Sequence, residues 1–236
     1  RHVALGVKEV VLTGVDLTSW GSDLPGSPRL GALCEAILTT FPALPRLRLS
    51  SIDGAEIDQA LFGLIAHEPR MMPHMHISLQ SGDDMILKRM KRRHTRAQAV
   101  QLVGRLRALR TDLAIGADLI AGFPTEDEAM HANSLAIIAE LGIVHGHVFA
   151  FSPRPGTPAA TMDNQIAAGV ADERLQRLQA LINEQQLAFN QATVGKRTSV
   201  LLEKQGKLDG QLIGRSPWLQ SVHILGSGLS IGDIVD

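Results

Sequence analysis

Glycine and polar residues directly follow short apolar runs at three places in the sequence. Gln80 and Ser81 end the first run, Gly122 the second, and Phe149 and Arg154 lie in the third. An amide both donates and accepts hydrogen bonds, an arginine clamps a carboxylate or phosphate, and a glycine lets a ligand approach the backbone. The pattern predicts a nucleoside-like ligand at converging strand ends. The stretches are HMHISLQSGDDMILKRMKRRHT (His74–Thr95), DLIAGFPTEDE (Asp118–Glu128) and HVFAFSPRPGTPAA (His147–Ala160).

Two earlier predicted strand ends carry similar chemistry. Gly14 allows close backbone approach, and the Asp16 carboxylate accepts from an amine or a hydroxyl. The alternative for Asp16 is a local cap in a βα turn. The hydroxyls of Ser50 and Ser51 and the carboxylate of Asp53 suit a ribose or an amino-acid head group, and equally the start of a helix near Glu56.

His74 and His76 share one face of a predicted strand with Ser78 and Gln80, because side chains alternate along a strand. Two histidines on one strand face could bind a metal ion, but no carboxylate or third ligand accompanies them at a recognisable spacing. We therefore expect histidines that line a cavity, and no metal ligands.

The run between Lys88 and Arg96 is densely basic. Helical spacing would place Lys88, Arg92 and Arg96 on one face, with Arg89 and Arg93 on the next. Such a run is either a solvated surface or a contact for an anion or an RNA backbone. Arg92 and Arg93, together with Arg154, are the candidate RNA-binding residues.

Composition limits the function classes. The chain has 236 residues, 44% of them hydrophobic, and a formal net charge of −1, which gives no global argument for nucleic acid or membrane. Its single cysteine, Cys34, excludes an internal disulfide and fits a reducing, cytoplasmic location. No secretory signal or membrane-spanning run is evident. The chain begins at Arg1 without a methionine, so we expect a fragment.

Strand-type and helix-type stretches alternate up to about residue 151, which predicts parallel strands joined by right-handed crossovers. About five units fit, fewer than the eight of a full barrel. The fold class predicted is α/β, a partial (β/α) barrel over residues 1–193, followed by a small, incomplete all-β domain over residues 194–236. Thr95 and Thr125 are predicted as helix N-caps. Predicted strands are 10–17, 47–51, 74–79, 113–121 and 147–151; predicted helices are 28–41, 56–67, 95–110, 125–141 and 171–193.

With these motifs assembled, the sequence resembles the radical S-adenosylmethionine methylthiotransferases over about Val3–Met162. Within that family, it looks most similar to the enzymes that modify threonylcarbamoyladenosine in tRNA, and its β-rich tail resembles the TRAM barrel. Besides the three stretches above, the matching segments are VVLTGVDLTSWG (10–21) and LRLSSIDGAEID (47–58).

The resemblance implies an enzyme that adds a methylthio group to C2 of the modified adenosine. It implies S-adenosylmethionine and two [4Fe–4S] clusters as cofactors, and tRNA as partner, with no membrane and no obligate protein partner. It places Gly14 and Asp16 at the methionine amino group and Gly122 and Phe149 near the adenine. Ser51, Gln80, Ser81 and Asp118 would complete the cofactor site.

The sequence departs from the family in its cysteines. Family members hold the radical cluster through a CxxxCxxC loop and the second cluster through three further cysteines, whereas this chain has only Cys34. We therefore expect that the cluster-binding regions precede Arg1, and that this chain alone is inactive.

Three alternatives remain open. The first is methylthiolation of isopentenyladenosine in tRNA or of a ribosomal protein. The second is a binding module that holds RNA without chemistry. The third is a cluster-free α/β-barrel lyase with His74 or His76 as base.

Overall fold

The structure is a computed structural model, and it describes residues 2–236. Five parallel β/α units build its first part. None of the helices in residues 2–236 has the length and apolar character needed to cross a membrane. The strands of this part are β1 (Glu9–Leu12), β2 (Arg46–Leu49), β3 (Ser51–Ile52), β4 (His74–Gln80), β5 (Ala114–Ala121) and β6 (Ile143–Ala150). The helices are α1 (Leu30–Thr40), α2 (Gln59–His67), α3 (Asp84–Arg89), α4 (Arg96–Leu109), α5 (Glu128–Leu141) and α6 (Ala168–Thr193).

The strands follow one another in the order of the chain. β1 pairs with β2, and β3, β4, β5 and β6 pair in sequence, all of them parallel. Only Ser50 separates β2 from β3, and its N–H donates to the carbonyl of Leu12. The result is an open, partial (β/α) barrel, as the alternating pattern predicted, and the carboxyl ends of all five units face the same edge.

Alternation along each strand divides the apolar core from the barrel interior. Met75, Ile77 and Leu79 of β4 point outward and are buried against the surrounding helices. The residues between them, His74, His76 and Ser78, point inward. This division gives the barrel an unusually polar interior, since such interiors are normally filled by branched apolar side chains.

Helix α6 closes one side of the sheet through close backbone approaches. Leu178 and Ile182 are buried in the core, and a Cβ placed on Gly146 of β6 would collide with Ile182. A buried ion pair joins Arg174 of α6 to Glu126, with 3.0 Å between Nη1 and Oε2. Burial raises the pKa of Glu126, and the Gly122 N–H and the Arg174 guanidinium oppose that effect.

Residues after α6 form a separate antiparallel sheet around a small core of Val200, Leu202 and Leu212. The strand order is β10-β7-β8-β9, consistent with the TRAM-like domain expected from the sequence. The boundary at residue 193, where α6 ends, stays a prediction. The strands are β7 (Val200–Gln205), β8 (Gln211–Arg215), β9 (Ser221–Leu225) and β10 (Ile234–Val235).

Buried charges join this small sheet to the amino-terminal end of the barrel. Arg46 donates to the carbonyls of Ser199 and Arg215. Arg48 donates to the Pro217 carbonyl and to both carboxylate oxygens of Glu9. These contacts close the barrel on the side opposite the strand ends where the candidate ligand residues lie.

Two local predictions need correction. Thr125 does not cap α5: the N-cap is Asp127, whose carboxylate accepts from the Met130 N–H, while Thr125 has a left-handed backbone (φ 73°). The basic run is not one helix either, because α3 ends at Arg89 and Lys91 has φ 57°. Thr95 does cap α4, through a complete capping box with Gln98.

Candidate functional site

A polar cavity of about 220 Å³ lies at the carboxyl ends of β1, β3 and β4. It brings Asp16 and Ser51, two of the residues predicted for the site, to the same space. Its other polar groups are hydroxyls, carboxylates and guanidinium groups, which suit a hydroxylated or zwitterionic ligand. We call it the polar cavity; it is lined by Val15, Asp16, Leu17, Thr18, Ser51, Asp53, Ser78, Arg92 and Arg93.

Asp16 accepts local side-chain hydrogen bonds, but its side chain does not cap the 3₁₀ helix that follows, so the alternative interpretation as a cap is wrong. Its Oδ2 accepts from the Ser19 hydroxyl at 2.6 Å, at the start of a short 3₁₀ helix. Asp16 is nevertheless exposed beside the cavity, and so is Gly14. Asp16 therefore accepts a hydrogen bond from Ser19 and also remains exposed at the cavity.

Asp53 is the charged centre of the polar cavity. Its carboxylate accepts from the Ala55 N–H at 3.0 Å and from Arg92 at 3.1 Å. The neighbouring His94 imidazole, with the Ala55 N–H and the Arg92 guanidinium, lowers the pKa of Asp53 against the opposing effect of burial. Asp53 is thus a fixed negative charge at the end of β3.

A second cavity, of about 320 Å³, opens at the ends of β4 and β5. One side of it is basic, through Arg89, Lys91 and Arg92, and the other is apolar, through Ile120 and Phe123. Nη1 of Arg89 and Nε of Arg92 are buried without a hydrogen-bond partner among the described residues. We call it the basic cavity; it is lined by Gln80, Arg89, Met90, Lys91, Arg92, Ile120, Phe123, Thr157, Pro158 and Ala159.

Gln80 lies between the strand edge and the basic cavity. Its backbone is left-handed (φ 69°), which is uncommon for a residue other than glycine and costs roughly 1–2 kcal/mol. Strained residues of this kind cluster at ligand sites. This geometry supports the predicted ligand role of Gln80.

The structure does not bring Ser81 or Gly122 to either cavity. Ser81 is fully buried: its hydroxyl lies 3.3 Å from that of Ser134 on α5 and accepts from the Asp83 N–H. Gly122 has φ 73°, and a Cβ there would collide with Ala171 of α6. The expected ligand contacts at these two positions are corrected: Ser81 ties β4 to α5, and Gly122 makes room for a helix.

Asp118 and Phe149 occupy the inner face of the sheet. Oδ1 of Asp118 lies 3.0 Å from Nε2 of His76 and 3.0 Å from Nδ1 of His147. Burial alone would raise the pKa of Asp118, but the two histidines outweigh it and lower the pKa below its usual range. Phe149 is 54% exposed, so its ring is available to a planar ligand.

The three arginines predicted to contact RNA differ in their surroundings. Arg92 is half-buried between Asp53 and the Ser78 carbonyl, which lies 3.0 Å away. Arg93 forms an ion pair with Glu56, but most of its side chain is exposed. Arg154 lies exposed in the loop after β6. Of these three arginines, Arg93 and Arg154 are therefore the accessible ones.

Reasoning from the sequence named Asp53, Ser78 and Arg89 within their segments, but it did not single out His147. A signal for His147 was present, since it shares the alternating inner face of its strand with Phe149. The position of Arg89 depends on where α3 ends, which the basic run did not show.

Cys34 cannot hold an iron–sulfur cluster in this chain. It is fully buried in α1, and burial, with the charge of Asp58, raises the pKa of its thiol to about 12. Cluster ligands are thiolates, and a [4Fe–4S] cluster needs several of them. The residues present therefore do not fit the group.

Sequence relatives cover nearly the whole chain. A tRNA-2-methylthio-N(6)-dimethylallyladenosine synthase of Sphingopyxis alaskensis is 45% identical over 236 residues, which make up 99% of this chain and 53% of that protein. The threonylcarbamoyladenosine tRNA methylthiotransferase MtaB of Rickettsia prowazekii is 50% identical over 204 residues, 86% of this chain and 48% of that protein. The chain thus spans about half the length of these curated relatives. No protein-family model matches the chain.

Solved structures share the fold. Coproporphyrinogen III oxidase (HemN) of Escherichia coli, a radical S-adenosylmethionine enzyme, superposes with a TM-score of 0.56 at 16% identity, over 75% of this chain and 40% of that one. The radical S-adenosylmethionine methyltransferase TsrM of Kitasatospora setae gives a TM-score of 0.51 at 15% identity, over 66% and 30%. The chain is thus a homologue of the tRNA methylthiotransferases, with the fold of the radical S-adenosylmethionine enzymes.

Proposed function

We propose that the protein methylthiolates C2 of N6-threonylcarbamoyladenosine in tRNA by radical S-adenosylmethionine chemistry. The observation that carries the proposal is the meeting of polar strand ends at two adjoining cavities, in a chain whose homologues are tRNA methylthiotransferases. This chain contributes binding and orientation of the nucleoside and of S-adenosylmethionine.

The polar cavity is the proposed place for the amino-acid and ribose parts of S-adenosylmethionine. Asp16 and Ser51 offer a carboxylate and a hydroxyl, and Asp53 adds a negative charge. An ammonium and ribose hydroxyls are donors that such oxygens accept. Gly14, next to Val15 of the lining, and Gln80, in the adjoining cavity, complete the set we assign to the cofactor.

The basic cavity is the proposed place for the substituent of the nucleoside. A threonylcarbamoyl group ends in a carboxylate, and Arg89, Lys91 and Arg92 give this cavity a positively charged lining. A carboxylate forms strong, charge-assisted hydrogen bonds with such cations. Phe149 would stack on the adenine, and Arg93 and Arg154 would contact the tRNA backbone.

A second candidate is the dimethylallyl substrate named for several relatives. The apolar side of the basic cavity, formed by Ile120, Phe123 and Pro158, would suit that hydrocarbon group. We favour the acidic substituent because an apolar one would offer no charged partner to Arg89, Lys91 and Arg92 in the cavity lining.

No reaction step is assigned here to an iron–sulfur cluster, because Cys34 does not fit one. The fold and the homologues imply S-adenosylmethionine and iron–sulfur chemistry for the reaction. The expectation of two clusters rests on the family resemblance.

Deleting the gene in its host and digesting total tRNA to nucleosides tests the proposal. Mass spectrometry should show loss of 2-methylthio-threonylcarbamoyladenosine and a matching rise of the unmethylthiolated nucleoside. The dimethylallyl nucleosides serve as the internal control and should keep their methylthio group. Loss of the methylthio group from the dimethylallyl nucleosides alone would favour the second candidate.

A further inference from the structure

One wall of the barrel interior carries four histidines and an aspartate. His74 and His76 lie on β4, His145 and His147 on β6, and Asp118 on β5 between them. Register places Asp118 directly opposite His147 and the neighbouring Gly116 opposite His76. The sequence showed only the pair on β4, and parallel pairing of β4, β5 and β6 supplies the carboxylate and the third nitrogen.

Three of these side chains converge on one point. Oδ1 of Asp118 lies 3.0 Å from Nε2 of His76 and 3.0 Å from Nδ1 of His147. All three ligand atoms lie within 4.8 Å of one another. Bonds of about 2.0–2.2 Å to a common ion would put such atoms roughly 3.0–3.4 Å apart, close to the two 3.0 Å distances that Asp118 makes.

A glycine makes room for this cluster, and the histidine beside it is buried without a hydrogen-bond partner. A Cβ on Gly116 would lie 2.5 Å from Nδ1 of His76 and 3.2 Å from Nε2 of His74, so the absence of a side chain there admits both rings. His74 is 6% exposed, and neither of its ring nitrogens has a hydrogen-bond partner among the described residues. An unpaired buried polar group indicates a polar partner at this depth of the barrel.

We propose that His76, Asp118 and His147 bind a divalent transition-metal ion. Two imidazole nitrogens and one carboxylate oxygen form a donor set used by catalytic zinc sites and by non-haem iron(II) sites. The His147 side chain is 68% exposed, so one side of the ion would face the open interior and keep positions for water or a ligand. This site needs no residue beyond these three strands.

Cobalt(II) binding by the 236-residue chain tests the proposal. The untagged chain is stripped with a chelator and titrated with Co²⁺, whose visible absorption reports nitrogen and oxygen ligands, and Zn²⁺ is then added as competitor. We expect one Co²⁺ per chain, displaced by one Zn²⁺. His147→Ala and Asp118→Asn should each weaken binding at least about 100-fold, since both remove a direct ligand.

His223→Ala is the matched control, because His223 is exposed on β9, in the other sheet, and should leave binding unchanged. His147→Ala should keep its fold because the ring of His147 is largely exposed, and thermal unfolding checks this. If Asp118→Asn proves unstable, the result for His147→Ala decides the test. The proposal is overturned if the wild-type chain gives no stoichiometric Co²⁺ band. It is also overturned if the band survives in His147→Ala, or if His223→Ala loses it equally.

Discussion

Arg92 binds Asp53 across the mouth of the polar cavity, with 3.1 Å between Nη2 and Oδ2. The same nitrogen donates to the Ser78 carbonyl at 3.0 Å. Arg92 therefore joins the ends of β3 and β4, and the residue also lines the basic cavity. One side chain thus contributes to both cavities.

Arg92→Lys should lower methylthiolation of threonylcarbamoyladenosine at least about tenfold, because a lysine cannot bind Asp53 and present a second fixed donor at once. The measurement is the nucleoside ratio in tRNA from a deletion strain that carries the variant gene. Arg197→Lys, at an exposed position, is the control and should restore the wild-type ratio. Equal restoration by both variants would remove Arg92 from the proposed site.

Glu9→Gln should destabilise the chain by about 3 kcal/mol, because it leaves the buried charges of Arg46 and Arg48 without their carboxylate. Glu203→Gln should cost less than about 1 kcal/mol, since Glu203 and Arg215 form a partly exposed pair at 3.6 Å. Urea unfolding of the two variants compares them directly. A similar loss of unfolding free energy in both variants would mean that the buried charges at the amino-terminal end of the barrel contribute little to stability.

Gly122→Ala should destabilise the chain by about 2–4 kcal/mol, for two additive reasons. A left-handed backbone disfavours alanine by roughly 1 kcal/mol, and the new methyl group would collide with Ala171. Gly156→Ala isolates the first reason, because Gly156 has φ 81° and a Cβ there meets nothing within 4 Å. Gly122→Ala should unfold at a clearly lower midpoint temperature than Gly156→Ala, and the reverse order would disprove the role assigned to Gly122.

Stability should fall in acid partly because of His131. Burial in α5, together with the charge of Arg177, lowers the pKa of His131 from 6.5 to about 4. Between these two values the unfolded chain binds a proton that the folded chain does not. Above pH 6.5, protonation of His131 therefore does not change the free energy of unfolding. As pH falls from 6.5 towards 4, it lowers the free energy of unfolding with a slope of at most about 1.4 kcal/mol per pH unit.

Denaturant unfolding of His131→Gln at several pH values measures this slope. The variant should show a shallower loss of stability than the wild type between pH 6.5 and 4. His67→Gln, at an exposed position on α2, should keep the wild-type slope. Parallel curves for the wild type and His131→Gln would show that this histidine does not set the acid limit.

The sequence predicted a strand in each of the five units because each is a short apolar run that ends in glycine or polar residues. Two bounds were wrong, since β1 ends at Leu12 and not at residue 17, and β6 begins at Ile143 and not at residue 147. Alternation along β4 also placed Ser78 and Gln80 correctly on the inner face. The same alternation predicts that Ser81 lies on the outer face with Met75, Ile77 and Leu79, and there its hydroxyl meets that of Ser134 on α5. The expected ligand role of Ser81 was therefore wrong because it ignored the alternation that the strand itself shows.

Long-range relationships were outside the reach of sequence patterns. Gly122 looked like a ligand approach, but the chain that approaches it is Ala171, which is 49 positions later and is placed by the packing of α6. Asp118 bonds to residues 42 positions before it and 29 after it. Only the pairing of parallel strands brings such groups together, so the metal ligands could not be assigned from their spacing.

The proposed nucleoside site is tested most directly by Phe149→Ala in the deletion strain. Phe149 is 54% exposed on the inner face, so its loss should spare the fold and remove a stacking surface worth about 1–3 kcal/mol. Leu225→Ala, 66% exposed on β9, is the control. We expect at least about a tenfold drop in the methylthiolated nucleoside for Phe149→Ala and full restoration by Leu225→Ala; full restoration by both would contradict the placement of the adenosine in this barrel.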